Sequence, residues 1–147
     1  MKKVKFPEIK VKVTRTKGDE YQIKSSQDAV DVFRQIFNAD TILWTEEMIL
    51  LCLNRANKVI GYYKISSGGF AGTVCDPKVV LTIALQSAAS SIIMAHNHPS
   101  GNLNPSDADI KIAKKIKLAC ELLDINCFDN LIITDESYTS FEERGLF

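Results

Sequence analysis

The chain has two histidines, His96 and His98, and a single residue separates them. At the end of an extended strand, residues i and i+2 point the same way, so both imidazoles would project to one side. Pro99 cannot continue a ladder and turns the chain away, which leaves the rings at the strand's exposed C-terminal edge. Two same-side imidazoles are two of the three protein ligands of an open catalytic zinc site, and a carboxylate should complete the set. Asp109 is the candidate. The helix after the histidine loop buries Ile112, Ala113, Ile116, Cys120 and Leu123, and Asp109 extends that stripe by one step toward the N-terminus. An ionised carboxylate on a core-facing stripe is costly unless it meets a cation or several donors. Asp107, about 200° round the helix, faces outward and complements the helix dipole. Read alone, Ser106-x-x-Asp109 is a helix-capping box in an acidic variant. Joined to the histidines by one short loop, it reads as the third ligand.

A metal with three protein ligands keeps a water, whose pKa falls toward neutrality. Hydrolysis then needs a proton shuttle that does not bind the metal. Glu46 and Glu47 open a strand that is otherwise apolar, and both faces of Met48–Leu53 are apolar, so strand alternation does not choose between them. With both histidines committed to the metal, no spare imidazole is left as a general base.

The elements that must hold these groups follow from pattern. Residues 4–13 alternate apolar residues with lysines and suggest an edge strand. Ser25 or Ser26 opens a helix to about Asn38, burying Val30, Phe33, Ile36 and Phe37. Met48–Asn54, a turn at Arg55–Asn57 and Lys58–Ile65 form a hairpin. Asp76-Pro77 starts a helix to about Ala89. Ser91–Ala95 is a short buried strand that delivers His96. Ser106 caps a helix to about Leu123, and strands follow at Cys127–Thr134 and Tyr138–Phe141, before a terminal turn at Gly145. This order predicts an α/β fold, a mixed sheet with helices on both faces. Gly68, Gly69 and Gly72 form no phosphate-binding fingerprint and read as a loop at the rim of the site. Trp44 reads as an edge anchor or a core residue.

The spacing His96-x-His98-x7-Ser106-x2-Asp109 with an upstream glutamate resembles the JAMM motif (JAB or MPN+) of zinc metallopeptidases. The strings HNHPSG and PSDAD, with LCLNRANKVIG before them, look like its bacterial RadC branch. The resemblance covers roughly Glu46 to Phe147. It implies a mixed sheet between helices, similar to the cytidine deaminases, and a domain over 25–147 behind a basic arm at 1–24. It also implies one zinc held by His96, His98 and Asp109, Glu46 as general acid/base, and Ser106 as a stabiliser of the tetrahedral intermediate. The reaction implied is hydrolysis of an amide in a peptide or isopeptide-linked protein.

Composition limits the alternatives. The 18 basic residues cancel the 18 acidic ones, so no global field draws the chain to nucleic acid or a membrane. Residues 1–24 carry eight Lys/Arg against three Asp/Glu, which reads as a solvated arm, with a phosphate-backbone contact as the alternative. The RadC branch carries a DNA-repair label, and DNA is the second partner considered. That role is weakened because the helix-hairpin-helix region of long RadC proteins is not seen here. No insertion is long enough to grip ubiquitin as the eukaryotic relatives do. A zinc nucleoside deaminase fails on residues, since His-x-Glu and Pro-Cys-x-x-Cys do not occur. A pure binding role is disfavoured because no motif position is lost. The longest apolar run, Met48–Leu53, is too short for a membrane span. Cys52, Cys75, Cys120 and Cys127 form no CxxC pair, and no apolar stretch follows the first lysines. Both features suggest a cytoplasmic protein with reduced thiols.

Overall fold

The computed structural model describes residues 1–68 and 75–147. Among these, α1 (Ser26–Ile36), the hairpin β1 (Glu47–Leu53) and β2 (Val59–Ser67), and α2 (Pro77–Gln86) are followed by β3 (Ser91–Asn97) and α3 (Asp107–Leu122). The chain ends in β4 (Asn126–Ile133), β5 (Tyr138–Ser140) and the single turn α4 (Phe141–Arg144). The sheet has the order β2-β1-β3-β4-β5; only β3 and β4 run parallel, joined by α3 as the crossover. The α/β class and the mixed sheet therefore match the sequence pattern.

Each helix starts where a side chain satisfies its free N–H groups. Ser25 accepts from the Asp28 amide, Asp76 from Lys78 ahead of Pro77, and Ser106 from Asp109. The helix faces then sort onto the two sides of the sheet. On one side Val30, Phe33 and Phe37 pack on Ile49, Leu51, Leu53, Ile93 and Leu131. On the other, Val80, Ala84, Ile116 and Cys120 cover Met48, Leu50, Ile92 and Met94. All seven residues of β1 and all seven of β3 are buried, as strands sandwiched between helix layers must be.

Four local expectations change. Residues 4–13 are not a strand; they lie exposed, and the nearest pairing is an isolated bridge, Gln22 to Lys58. Alternation alone supplies no partner; Arg15 donates a side-chain hydrogen bond to the Ile60 carbonyl of the edge strand β2 at 3.1 Å. The last strand ends at Ser140 because that hydroxyl caps α4, which Gly145 closes at φ 64°. β3 extends two residues beyond Ala95, so His96 and Asn97 belong to the ladder. α2 stops at Gln86, and Ala88 takes a left-handed φ of 53°. The glycine loop expected at the rim of the site lies largely outside the described residues, since Gly69 and Gly72 are not among them.

Candidate metal centre

The register of the two innermost strands decides which glutamate meets the histidines. β1 and β3 pair antiparallel with Met48 opposite His96, and directly opposed side chains share a face. Continuing that register by two residues sets Glu46 opposite His98, on the side covered by α3. Glu47 falls on the other side, 7% exposed, and pairs with Lys64 at 3.2 Å. The choice that alternation left open is thus settled by pairing: Glu46 is the glutamate that reaches the site. One ligand atom each from Glu46, His96 and His98 lies within 4.8 Å of the others. The Glu46 carbonyl also accepts from the Gly68 amide at 2.8 Å, which fixes its backbone.

Both imidazoles turn Nε2 inward, 3.0 Å apart. Asp109 Oδ2 stands 3.5 Å from each of these nitrogens. Four tetrahedral ligands at zinc bond lengths of about 2.0–2.1 Å lie about 3.3 Å from one another. The observed separations bracket that value, so the three side chains fit a first-row divalent cation. The His98 ring carries a further signature. Its Nδ1 is 2.6 Å from the Asn102 carbonyl, which can only accept, so Nδ1 donates and the neutral ring keeps its lone pair on Nε2. His96 is 1% exposed, and its Nδ1 has no hydrogen-bond partner among the described residues. The expectation that both rings are exposed is therefore corrected for His96, which sits within a fully buried strand.

Asp109 plays two parts at once. Its Oδ2 accepts from the Ser106 amide at 2.9 Å, and Ser106 Oγ accepts from the Asp109 amide at 3.0 Å. The capping box is real, and the same carboxylate still faces the histidines. Burial pushes its carboxyl up, but the bonds to His96 and His98 outweigh burial and hold it well below the usual carboxylate range. For His98, burial favours the neutral ring, while Asp109 and the Asn102 carbonyl favour the charged one and prevail. Both shifts express a site that attracts positive charge.

Asn97 is the functional residue that pattern reading missed. Its side chain is fully buried on the face away from the histidines. Its Oδ1 accepts from the Glu47 amide at 2.7 Å, and its Nδ2 donates to the Ile42 and Thr45 carbonyls, both at 2.8 Å. One amide thus ties the histidine strand to the segment that carries Glu46. The available signal was a polar residue between the two histidines, which alternation sends to the opposite, buried face of the strand. Trp44, by contrast, is 62% exposed and belongs to no core.

Comparison with known proteins shows the family of the chain. A family model described as the RadC-like JAB domain matches residues 23–146. The chain belongs to this family. It is 46% identical over 126 residues to a UPF0758 protein of Flavobacterium johnsoniae, covering 86% of this chain and 54% of that one. A UPF0758 protein of Porphyromonas gingivalis is 39% identical over 124 residues, covering 84% and 55%. The RadC-like JAB domain described here thus spans about half the length of these relatives. Among its described residues, no helix is long and apolar enough to cross a membrane.

Proposed function

We propose that this RadC-like JAB domain is a metal-dependent amide hydrolase, acting on a peptide or isopeptide bond, with zinc as the metal its ligands suit. The observation that carries the reading is the convergence of His96 Nε2, His98 Nε2 and Asp109 Oδ2 at 3.0–3.5 Å, with Glu46 beside them. A divalent ion bound there would polarise the scissile carbonyl and acidify the attacking water.

The chain's own groups do the rest. His98, locked by Asn102 as the Nδ1–H tautomer, and His96 present lone pairs, and Asp109 supplies the negative charge. Glu46, opposite His98, takes the proton of the attacking water and delivers it to the leaving amine. The Ser106 hydroxyl accepts from the Asp109 amide and keeps its own hydrogen for the oxygen that becomes anionic. With both histidines given to the ion, Glu46 is the carboxylate left beside it, among the described residues, to act as acid and base.

Metal analysis of protein purified without added metal, beside His98→Ala and Glu46→Gln variants, tests the reading. We expect about one zinc per chain in the wild type, none in His98→Ala, and retention in Glu46→Gln. Equal metal content in wild type and His98→Ala would overturn the ligand assignment. Loss of metal in Glu46→Gln would make Glu46 a ligand and remove it as the shuttle.

A further inference from the structure

A cleft of about 410 Å³ is lined by Glu46, His96 and Asp109 of the candidate metal centre and by residues of α3. Lys111 and Lys115 also line it. These lysines lie one helical turn apart and are exposed. Among the described residues neither is in an ion pair or a hydrogen bond, unlike Lys58 and Lys64, which face Glu20 and Glu47. Like charges at i and i+4 on a helix repel, and among the described residues no carboxylate stands within ion-pair distance of either. Asp109 is already engaged by both histidines and the Ser106 amide, and among the described residues neither inner carboxylate forms an ion pair with a lysine of the cleft. The cleft therefore presents two lysines without an ion-pair partner among the described residues, on the helix that also carries Asp109.

We propose that the substrate carries an anionic group, a carboxylate, which Lys111 and Lys115 hold in this cleft while the scissile amide lies at the metal centre. The inference rests on the hydrolase reading above and names the substrate class for that site: a peptide with an acidic side chain or a free terminus near the cleaved bond. Lysine ammonium groups suit this task as mobile point charges that accept a range of carboxylate positions.

Two hydroxamate probes separate this inference from the reading beneath it. N-hydroxysuccinamic acid carries a metal-binding hydroxamate and a free carboxylate; in its neutral counterpart a primary amide replaces the carboxylate. Their affinities for the zinc-loaded protein are measured by calorimetry at low and at physiological salt. We expect the acid to bind about tenfold tighter than the amide at low salt, an advantage that shrinks as salt rises. The Lys111→Gln/Lys115→Gln double variant, altered only on an exposed helix face, should bind the amide unchanged and lose the preference for the acid. Equal affinities in the wild type, or a preference that survives in the double variant, overturns the anionic-substrate proposal and leaves the metal centre standing. Failure of both probes to bind overturns the hydrolase reading, and this proposal with it.

Discussion

Replacing Asn97 by alanine probes the strongest structural claim made about the site, that one buried amide holds the Glu46 segment in place. The variant deletes three hydrogen bonds of 2.7–2.8 Å without touching any group on the metal side of the sheet. Each backbone group left unpaired in a buried setting costs about 1–3 kcal/mol. The Glu47 amide is in the buried strand and belongs in the middle of that range. The Ile42 and Thr45 carbonyls lie in a partly exposed segment, where water replaces some of the loss, and belong at its low end. The sum is about 4 kcal/mol, a large share of the 5–15 kcal/mol typical of a domain. With a urea m-value of about 2 kcal/mol/M, the unfolding midpoint should fall by about 2 M. Asn97→Asp keeps the acceptor but turns a carboxylate oxygen toward two carbonyls, so it should be no more stable than the alanine variant. Hydrogen exchange gives the local readout, because the Glu47 amide should lose protection beyond what the global change accounts for. A midpoint shift below about 0.5 M, with Glu47 still protected, would refute the claim that Asn97 positions this segment.

Ser106→Ala removes the cap of α3 and should cost about 1 kcal/mol while leaving the bound metal in place; a loss of metal would mean that the cap positions Asp109 as a ligand. Phe33→Ala empties the centre of the α1 cluster and should cost about 3–5 kcal/mol by thermal or urea unfolding; a loss under 1 kcal/mol would contradict its burial. Zinc at about 100 times its dissociation constant should stabilise the wild type by about 2.7 kcal/mol, and the shift in melting temperature should vanish in His98→Ala. For Asp129, burial raises the carboxyl despite bonds from Ser140, Glu142 and Asn130, so the folded state holds this proton more tightly than the unfolded chain. The stability contributed by that proton is full below the ordinary carboxylate pKa of about 3.9 and is lost as pH rises through the folded value. The stability of wild type relative to Asp129→Asn should therefore decline from pH 4 toward neutrality, and a difference that grows over that range would refute the direction.

The parts of the fold that rest on local chemistry were legible in the sequence. Ser25, Asp76-Pro77 and Ser106 announce their helices because a cap is satisfied within three residues of itself. The histidine pair and Asp109 were legible because strand and helix periodicities fix which way nearby side chains point. What depended on distant partners was not. The alternation at 4–13 looks like a strand, but among the described residues it forms no ladder, even with the edge strand β2. Asn97 lies between two conspicuous histidines, and its partners at 42, 45 and 47 are about fifty residues away. The Ser140 hydroxyl converts an expected strand end into α4, and the carboxylate of Asp129 receives that hydroxyl from another strand.

The choice between Glu46 and Glu47 shows how site and fold depend on one buried contact. A slip of one residue between β1 and β3 would carry Glu47 to the histidine side and move Glu46 away. It would also exchange Met48, Leu50 and Cys52 for Ile49, Leu51 and Leu53 at the two helix layers. Hydrophobic patterning normally forbids such a slip, because it turns an apolar face to water. Here both faces of β1 are apolar, so burial alone penalises the slip only through changes of side-chain shape. The polar groups carry the penalty instead. In the slipped register the Asn97 amide would lose the Glu47 N–H and the two carbonyls it binds, and Glu47 would leave Lys64. The costs estimated for Asn97→Ala therefore also measure how strongly the chain specifies which carboxylate stands beside the two histidines.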